Sequence, residues 1–260
     1  MSDARELSES AVLIAGGSSG VGLASALALV DAGVRRVTLV SRSVERGEAA
    51  RALVAGRALG VQADFIATDA DDPSAVEDAV GRAHAAMGRI VVLVSSIASA
   101  FRPELLFRTP MADVAGILTA QALPPMYFTR AVLPFMRADG GGSIMNIASD
   151  AAKTATPGES VLGAAMAAIV MFTRTVAIEG KRDSIRANAL TPSLIANTPT
   201  AERVLSDGFS KNLFEKAAQQ AHLGVAEPED LASLVVFLAS PAAAKLTGQA
   251  ISVNGGISAA

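Results

Sequence analysis

The stretch AGGSSGVG, residues 15–22, decides the fold. On its N-terminal side, SAVLIAGG (10–17) is a short apolar run ending in glycines, the pattern of a strand buried on both faces of a parallel sheet. On its C-terminal side, GLASALALVDAG (22–33) has helical character and closes at Gly33, a residue suited to a helix C-terminus. Glycines at 16, 20 and 22, between such a strand and such a helix, permit a tight turn, close backbone approach to a diphosphate and close helix–strand packing. The helix N-terminus adds free N–H groups and a partial positive charge. Gly16, Ser18, Ser19, Gly20, Val21 and Gly22 are therefore the candidate contacts to a dinucleotide. A plain tight turn is the alternative reading of the same glycines.

Outward from this loop the alternation continues. RVTLVSR (36–42) and VQADFIATD (61–69) read as the second and third strands, and DDPSAVEDAVGRAHAAMG (71–88) as a well-signalled helix. Asp72 is its N-cap and Pro73 fits the first turn, while Val76, Ala79, Val80, Ala83 and Met87 share one face and Gly88 ends it. RIVVLVSS (89–96) is a fourth strand. A helix over 114–137, with a bend expected near Pro124 and Pro125, leads to the strand GSIMNIAS (142–149). A helix over 160–179 leads to SIRANALTP (184–192), and one over 229–239 to GQAISVNGG (248–256). Seven strands alternating with helices predict an α/β fold: a single Rossmann-like, doubly wound domain over 1–260, its mostly parallel sheet covered by helices on both faces. The longest irregular stretch, 193–224, carries Leu205, Phe209 and Leu213 at every fourth position. It is either a short helix on the core or a variable, mobile lid over a substrate pocket.

Composition narrows the function. The 260 residues are 51% hydrophobic and 18% charged with a net charge of −3, enough apolar material for a buried core and too little charge for disorder. No basic run exceeds the pair Arg35–Arg36, which argues against nucleic acid or an anionic membrane as partner. The chain has no cysteine, which excludes disulfides and thiolate chemistry, and with only His84 and His222 no metal site is expected. No apolar run approaches the roughly 18 residues of a membrane span, and the polar start MSDARELSES is unlike a signal peptide. The expectation is a cytoplasmic protein. The second strand ends at Ser41 and Arg42, and Arg42 lies 20 residues after Gly22, where an acidic residue would bind a free ribose 2′-hydroxyl. An arginine there suits a 2′-phosphate by charge and by its planar fork, favouring NADP(H) over NAD(H). Asp69, after the third strand, reads either as an acceptor for an adenine amino group or as a local turn cap.

These blocks resemble the short-chain dehydrogenase/reductase family over nearly the whole chain, in a form similar to its 3-oxoacyl reductases. AGGSSGVG resembles the family loop T-G-x-x-x-G-x-G with Ala15 for the threonine, and TDADD (68–72) its adenine-contacting segment, which brings in Ala70. The fourth-strand motif, usually N-N-A-G, reads Ser95, Ser96, Ile97, Ala98 and adds Ser95 to the cofactor set. TRAVLPFM (129–136), GSIMNIAS, IRANALTPSLIANTP (185–199) and FLASPAAAKLTGQAISVNGG (237–256) match later family blocks in order. The resemblance implies a tetramer and a four-residue catalytic set. In that set serine holds the substrate oxygen, tyrosine moves the proton, lysine holds the ribose and lowers the tyrosine pKa, and asparagine anchors a water. Carried over, Ser149 matches the serine, while Leu162, Met166 and Gln121 stand at the tyrosine, lysine and asparagine positions. Residues 159–169 contain neither tyrosine nor lysine, and the single tyrosine, Tyr127, reads as a packing residue on the helix of Gln121.

A carbonyl that accepts hydride becomes an alkoxide and needs a proton from a group within hydrogen-bond reach. Three readings follow from the loss of that group. The chain is a catalytically impaired NADP(H)-binding subunit of an oxidoreductase, associating with itself or with another family subunit through the apolar helix over 160–179. Or it is a divergent NAD(P)-dependent oxidoreductase whose proton comes from Asp150, Lys153, Glu159 or water. Or it is a ligand-binding, non-redox protein that reuses the cleft. Leu205, Phe209, Leu213 and the apolar replacements lean toward a hydrophobic carbonyl or hydroxyl compound as the small-molecule partner.

Overall fold

A computed structural model describes residues 5–206 and 208–260. Strands β1 (Ala11–Ala15), β2 (Arg36–Ser41), β3 (Gln62–Ala67), β4 (Val92–Ser95), β5 (Gly142–Ile147), β6 (Ile185–Leu190) and β7 (Ala250–Ile251) form one parallel sheet in the order β3-β2-β1-β4-β5-β6-β7. All five residues of β1 are buried, as the unbroken apolar run requires of a central parallel strand. Its register places Val12 beside Val37 on one side and Val92 on the other. Helices α1 (Gly20–Asp31), α2 (Val44–Ala55) and α8 (Pro228–Ala239) cover one face, packing Leu29, Val54 and Val235 against Val12 and Ile14. Helices α3 (Pro73–Met87), α4 (Asp113–Ala138) and α5 (Ser160–Gly180) cover the other, packing Val80, Phe128 and Val176 against Leu13 and Ile144. The strand order reverses between β1 and β4, and in open sheets of this kind a crevice forms at that point, beyond the strand C-termini.

The helix with the strongest sequence signals forms as read. In α3 the Asp72 carboxylate accepts from the N–H groups of Ser74 and Ala75, the five apolar residues of the expected face are all buried, and Gly88 takes a left-handed φ of 75°. Helix α2 carries no such signal and escapes the sequence reading. It buries only Gly47, Ala50 and Val54, so its two small residues and one valine make no recognisable apolar stripe. β7 is shorter than the expected 248–256. Gly248 precedes it with φ 73°, and the ladder from β6 ends with the Thr191 N–H donating to the Ile251 carbonyl at 2.8 Å. The stretch 193–224 folds as two helices, α6 (Pro199–Val204) and α7 (Gly208–Gln220). Leu205 caps α6 while Phe209 and Leu213 belong to α7, so the every-fourth pattern spans two helices rather than one. Phe209 packs so closely on Gly158 that a Cβ there would strike its ring.

One expectation needs correcting. Helix α5 with the turn that follows it, Ser160–Asp183, is long and apolar enough to cross a membrane by length and composition, its most apolar 18-residue window having a mean hydropathy of 1.9. Arg174, flanked by Thr173 and Thr175, breaks the apolar run, which is why a strict run count passes over this helix. In the fold the helix packs along α4 and β6 as part of the layer covering the sheet.

Candidate functional site

A cavity of about 640 Å³ opens at the switch point between β1 and β4. Its floor is the loop between β1 and α1. Gly16 has φ 81°, and a Cβ on it would collide with the carbonyl oxygen of Ser96 beyond β4. A Cβ on Gly22 would collide in turn with the Gly16 carbonyl. The two glycines thus let strand, loop and helix close to a spacing that no side chain permits. Gly16, Ser18, Ser19, Gly20 and Val21 line the cavity, and Ser19 precedes the first helical turn with no side-chain cap on its N–H groups. Gly22 lies beneath the loop as a packing residue and is not on the wall.

At the end of β2 the wall is made by Ser41, Arg42, Ser43 and Arg46. Ser43 caps α2, its Oγ accepting from the Arg46 N–H at 3.3 Å, and this directs the first turn of α2 toward the cavity. Among the described residues no ion pair engages the side chain of Arg42 or Arg46. Arg46 was invisible to sequence reasoning because α2 itself was. Thr68 and Ala70 also line the cavity, whereas Asp69 does not. The Asp69 carboxylate accepts from the Asp71 N–H at 3.1 Å, the local turn cap that was its alternative role. Ser95 is also off the wall: it is buried within the sheet beside Ala15 and Asn146, and the next residue, Ser96, faces the cavity instead.

At the opposite end stand the positions expected to carry chemistry. Ser149 lines the cavity at the end of β5, and its Oγ accepts from the Ala151 N–H at 3.2 Å. That bond uses an oxygen lone pair and leaves the hydroxyl proton available to a ligand. Leu162 and Met166, each 9% exposed, form an apolar patch with Ile169, Val170 and Phe101. Gln121 is 6% exposed on α4. Its Nε2 donates to Ser99 Oγ at 2.6 Å, and its Oε1 is buried without a partner. Tyr127 packs against the core between the sheet and α4 and is absent from the cavity.

The three substitute acids separate. Lys153 turns away: its Nζ donates to Ser252 Oγ at 2.6 Å and to the Ala250 carbonyl at 3.4 Å, beside β7. Asp150 and Glu159 both line the cavity and are both buried. Asp150 Oδ1 accepts from Ser258 Oγ at 2.7 Å and from Asn254 Nδ2 at 3.4 Å, tying the loop after β5 to the C-terminal segment. Glu159 occupies the N-cap position of α5 without a capping side-chain bond, and with Leu162 and Met166 it falls at i, i+3 and i+7 along one face. Burial, reinforced by the Asp150 charge and opposed by a hydrogen bond from Thr156, pushes its pKa up to about 7. Among the described residues no cluster of three or more metal-ligating side chains occurs.

Residues 15–258 match the family model described as enoyl-(acyl carrier protein) reductase. The chain is 32% identical over 247 residues to a 3-oxoacyl-(acyl-carrier-protein) reductase of Chlamydia pneumoniae, covering 95% of this chain and 96% of that one. It is 33% identical over 252 residues to subunit BbsC of a hydroxy(phenyl)methylsuccinyl-CoA dehydrogenase from Thauera aromatica, covering 95% and 94%. Among solved structures, L-sorbose reductase from Gluconobacter frateurii, complexed with NADPH and L-sorbose, is similar with a TM-score of 0.84 and 30% identity over 95% of this chain and 96% of that chain.

Proposed function

The chain belongs to the short-chain dehydrogenase/reductase family, and we propose that it is an NADP(H)-binding subunit of a carbonyl or hydroxyl oxidoreductase whose own cleft lacks the proton-transfer pair. The observation that carries this reading is the pair Leu162 and Met166, buried on the cavity wall where a phenol and an ammonium group would be needed. The residues present fit a dinucleotide. The glycine cradle would receive the diphosphate at the N-terminus of α1, and Arg42 with Arg46 would hold a 2′-phosphate. When bound, the nicotinamide supplies or takes up the hydride. Ser149 would donate to the substrate oxygen, but hydrocarbon at 162 and 166 neither delivers a proton nor grips the ribose.

Association is supported by apolar residues that the single chain leaves exposed on α5 and α4: Met171 (60%), Ile178 (62%) and Leu118 (40%). A relative that is itself named as a subunit of a dehydrogenase points the same way. The deciding experiment restores the pair with Leu162→Tyr and Met166→Lys. NADPH oxidation with a panel of aryl ketones should be negligible in the parent and rise about 100-fold in the double variant, the low end of what positioned proton transfer contributes. Fast turnover by the parent alone would sink the impaired-subunit reading.

Glu159 favours a second reading. A carboxyl that is still half protonated near pH 7, on the same helix face as the missing phenol, has the position and the proton of a general acid. Under this reading the parent reduces carbonyls by itself and Glu159→Gln abolishes the activity.

A further inference from the structure

On the far side of the cavity is a cation to which no described residue supplies a counter-charge. Arg203, on α6, lines the wall. Its Nη2 donates to the Ser99 carbonyl at 3.0 Å and to Thr200 Oγ1 at 3.3 Å, while its Nε is buried with no acceptor. Among the described residues it forms no ion pair with a carboxylate. Burial and the like charge of Arg102 both lower its pKa, so the surroundings disfavour the very charge it carries. Arg102 itself donates to Ser206 Oγ at 2.8 Å.

The same short loop is held from the other side by Gln121, whose Nε2 binds Ser99 Oγ. Thus Ser99 sits between two side chains, one with a free donor and the other with a free acceptor, and both atoms are buried. A native structure rarely leaves buried polar atoms unpaired, and two with complementary needs, just behind one cavity wall on residues that line it, call for a common explanation. A guanidinium is the side chain best matched to a carboxylate. Around the pair the wall is apolar, with Phe101, Val204, Leu213 and Phe214 alongside Leu162 and Met166.

We propose that this side of the cleft is a subsite for a carboxylate-bearing ligand, an oxo or hydroxy acid whose acid group lies on Arg203, whose hydrogen-bond donor meets Gln121 and whose apolar body lies along the phenylalanines and leucines. The inference rests on the reading of the cavity as a cofactor and substrate cleft, but it concerns binding and holds whether or not this chain is catalytic.

The test is calorimetric titration of the protein, with and without NADPH, using phenylpyruvate, mandelate, levulinate and 3-hydroxybutyrate, each beside its methyl ester. At least one acid should bind about tenfold more tightly than its ester, the scale of a charge-assisted hydrogen bond. Arg203→Met should erase that preference and Arg203→Lys should retain part of it, which separates lost charge from lost folding. Gln121→Met should weaken the hydroxy acids more than the oxo acids. The subsite is overturned if no acid outbinds its ester, or if the preference survives in Arg203→Met. Equal weakening of both acid types in Gln121→Met would overturn the part assigned to Gln121. NADPH affinity read on the same parent samples distinguishes a failed subsite from a failed cofactor cleft.

Discussion

The two ends of the cavity are built by different means. At the nucleotide end, backbone sets the shape: a left-handed glycine under Ser96, a second glycine against the first, and the free N–H groups of α1. At the opposite end everything depends on individual side chains, Ser149, Leu162, Met166, Glu159 and Gln121. A backbone cradle survives many substitutions around it and fails at very few positions. A side-chain constellation loses its chemistry one residue at a time while the wall remains packed, and Leu162 and Met166 pack well. Under the proposed function, that difference is how a binding end persists beside a reacting end where Leu162 and Met166 stand in place of a proton-transfer pair.

The sharpest way to break the comparison is Gly16→Val. A β-branched residue at φ 81° costs at least about 1–2 kcal/mol for the left-handed backbone alone, before the collision with Ser96 is added. Thermal unfolding and NADPH fluorescence should both show a large loss, and unchanged NADPH affinity would remove the loop from the cofactor site.

Glu159 gives the next largest effect, at the other end. Its pKa is raised from 4.5 to about 7 in the fold, so between those values the native state binds more protons than the unfolded chain. Its contribution is fully present below the lower value and is lost as pH rises through the upper one, on the order of 3 kcal/mol by the linkage relation. Denaturant unfolding of the parent should therefore weaken between about pH 4.5 and 7 relative to Glu159→Gln. The variant should gain most at pH 8 and least at pH 4. Parallel pH profiles would show that the carboxyl titrates normally.

The smallest effect sharpens the nucleotide end itself. Arg42→Ala should weaken NADPH about tenfold and leave NADH nearly unchanged, because one charge-assisted contact to a 2′-phosphate is worth that much. Arg46→Ala in the same background measures how the two arginines share the phosphate. Equal losses for both nucleotides would remove the 2′-phosphate argument.

Much of this was legible in the sequence, and the reasons are local. The β1 run, the glycines and the Asp72-to-Gly88 helix announce themselves through short-range signals that the fold only has to honour. That residues 159–169 hold neither tyrosine nor lysine was legible directly, and Leu162 and Met166, four apart, were expected on one helix face. Arg46 was not, because α2 buries too little to show a period. The roles of Lys153, Glu159 and Arg203 were not legible either. Where a charged side chain on a loop or lid turns depends on partners as distant in sequence as Ser252 for Lys153 and Ser99 for Arg203. Asp69 and Ser95 show the same limit in reverse: the sequence did not reveal that a turn engages the Asp69 carboxylate or that the sheet buries Ser95.

The link from Asp150 to Ser258 and Asn254, with Ile257 on the cavity wall, makes residues 254–258 part of the cleft. A purification handle fused after Ala260 would tug on the segment that holds this carboxylate in place. Recombinant material meant for ligand or nucleotide measurements is better tagged at the opposite terminus, and a C-terminally tagged sample that binds poorly reports on its handle before it reports on the protein.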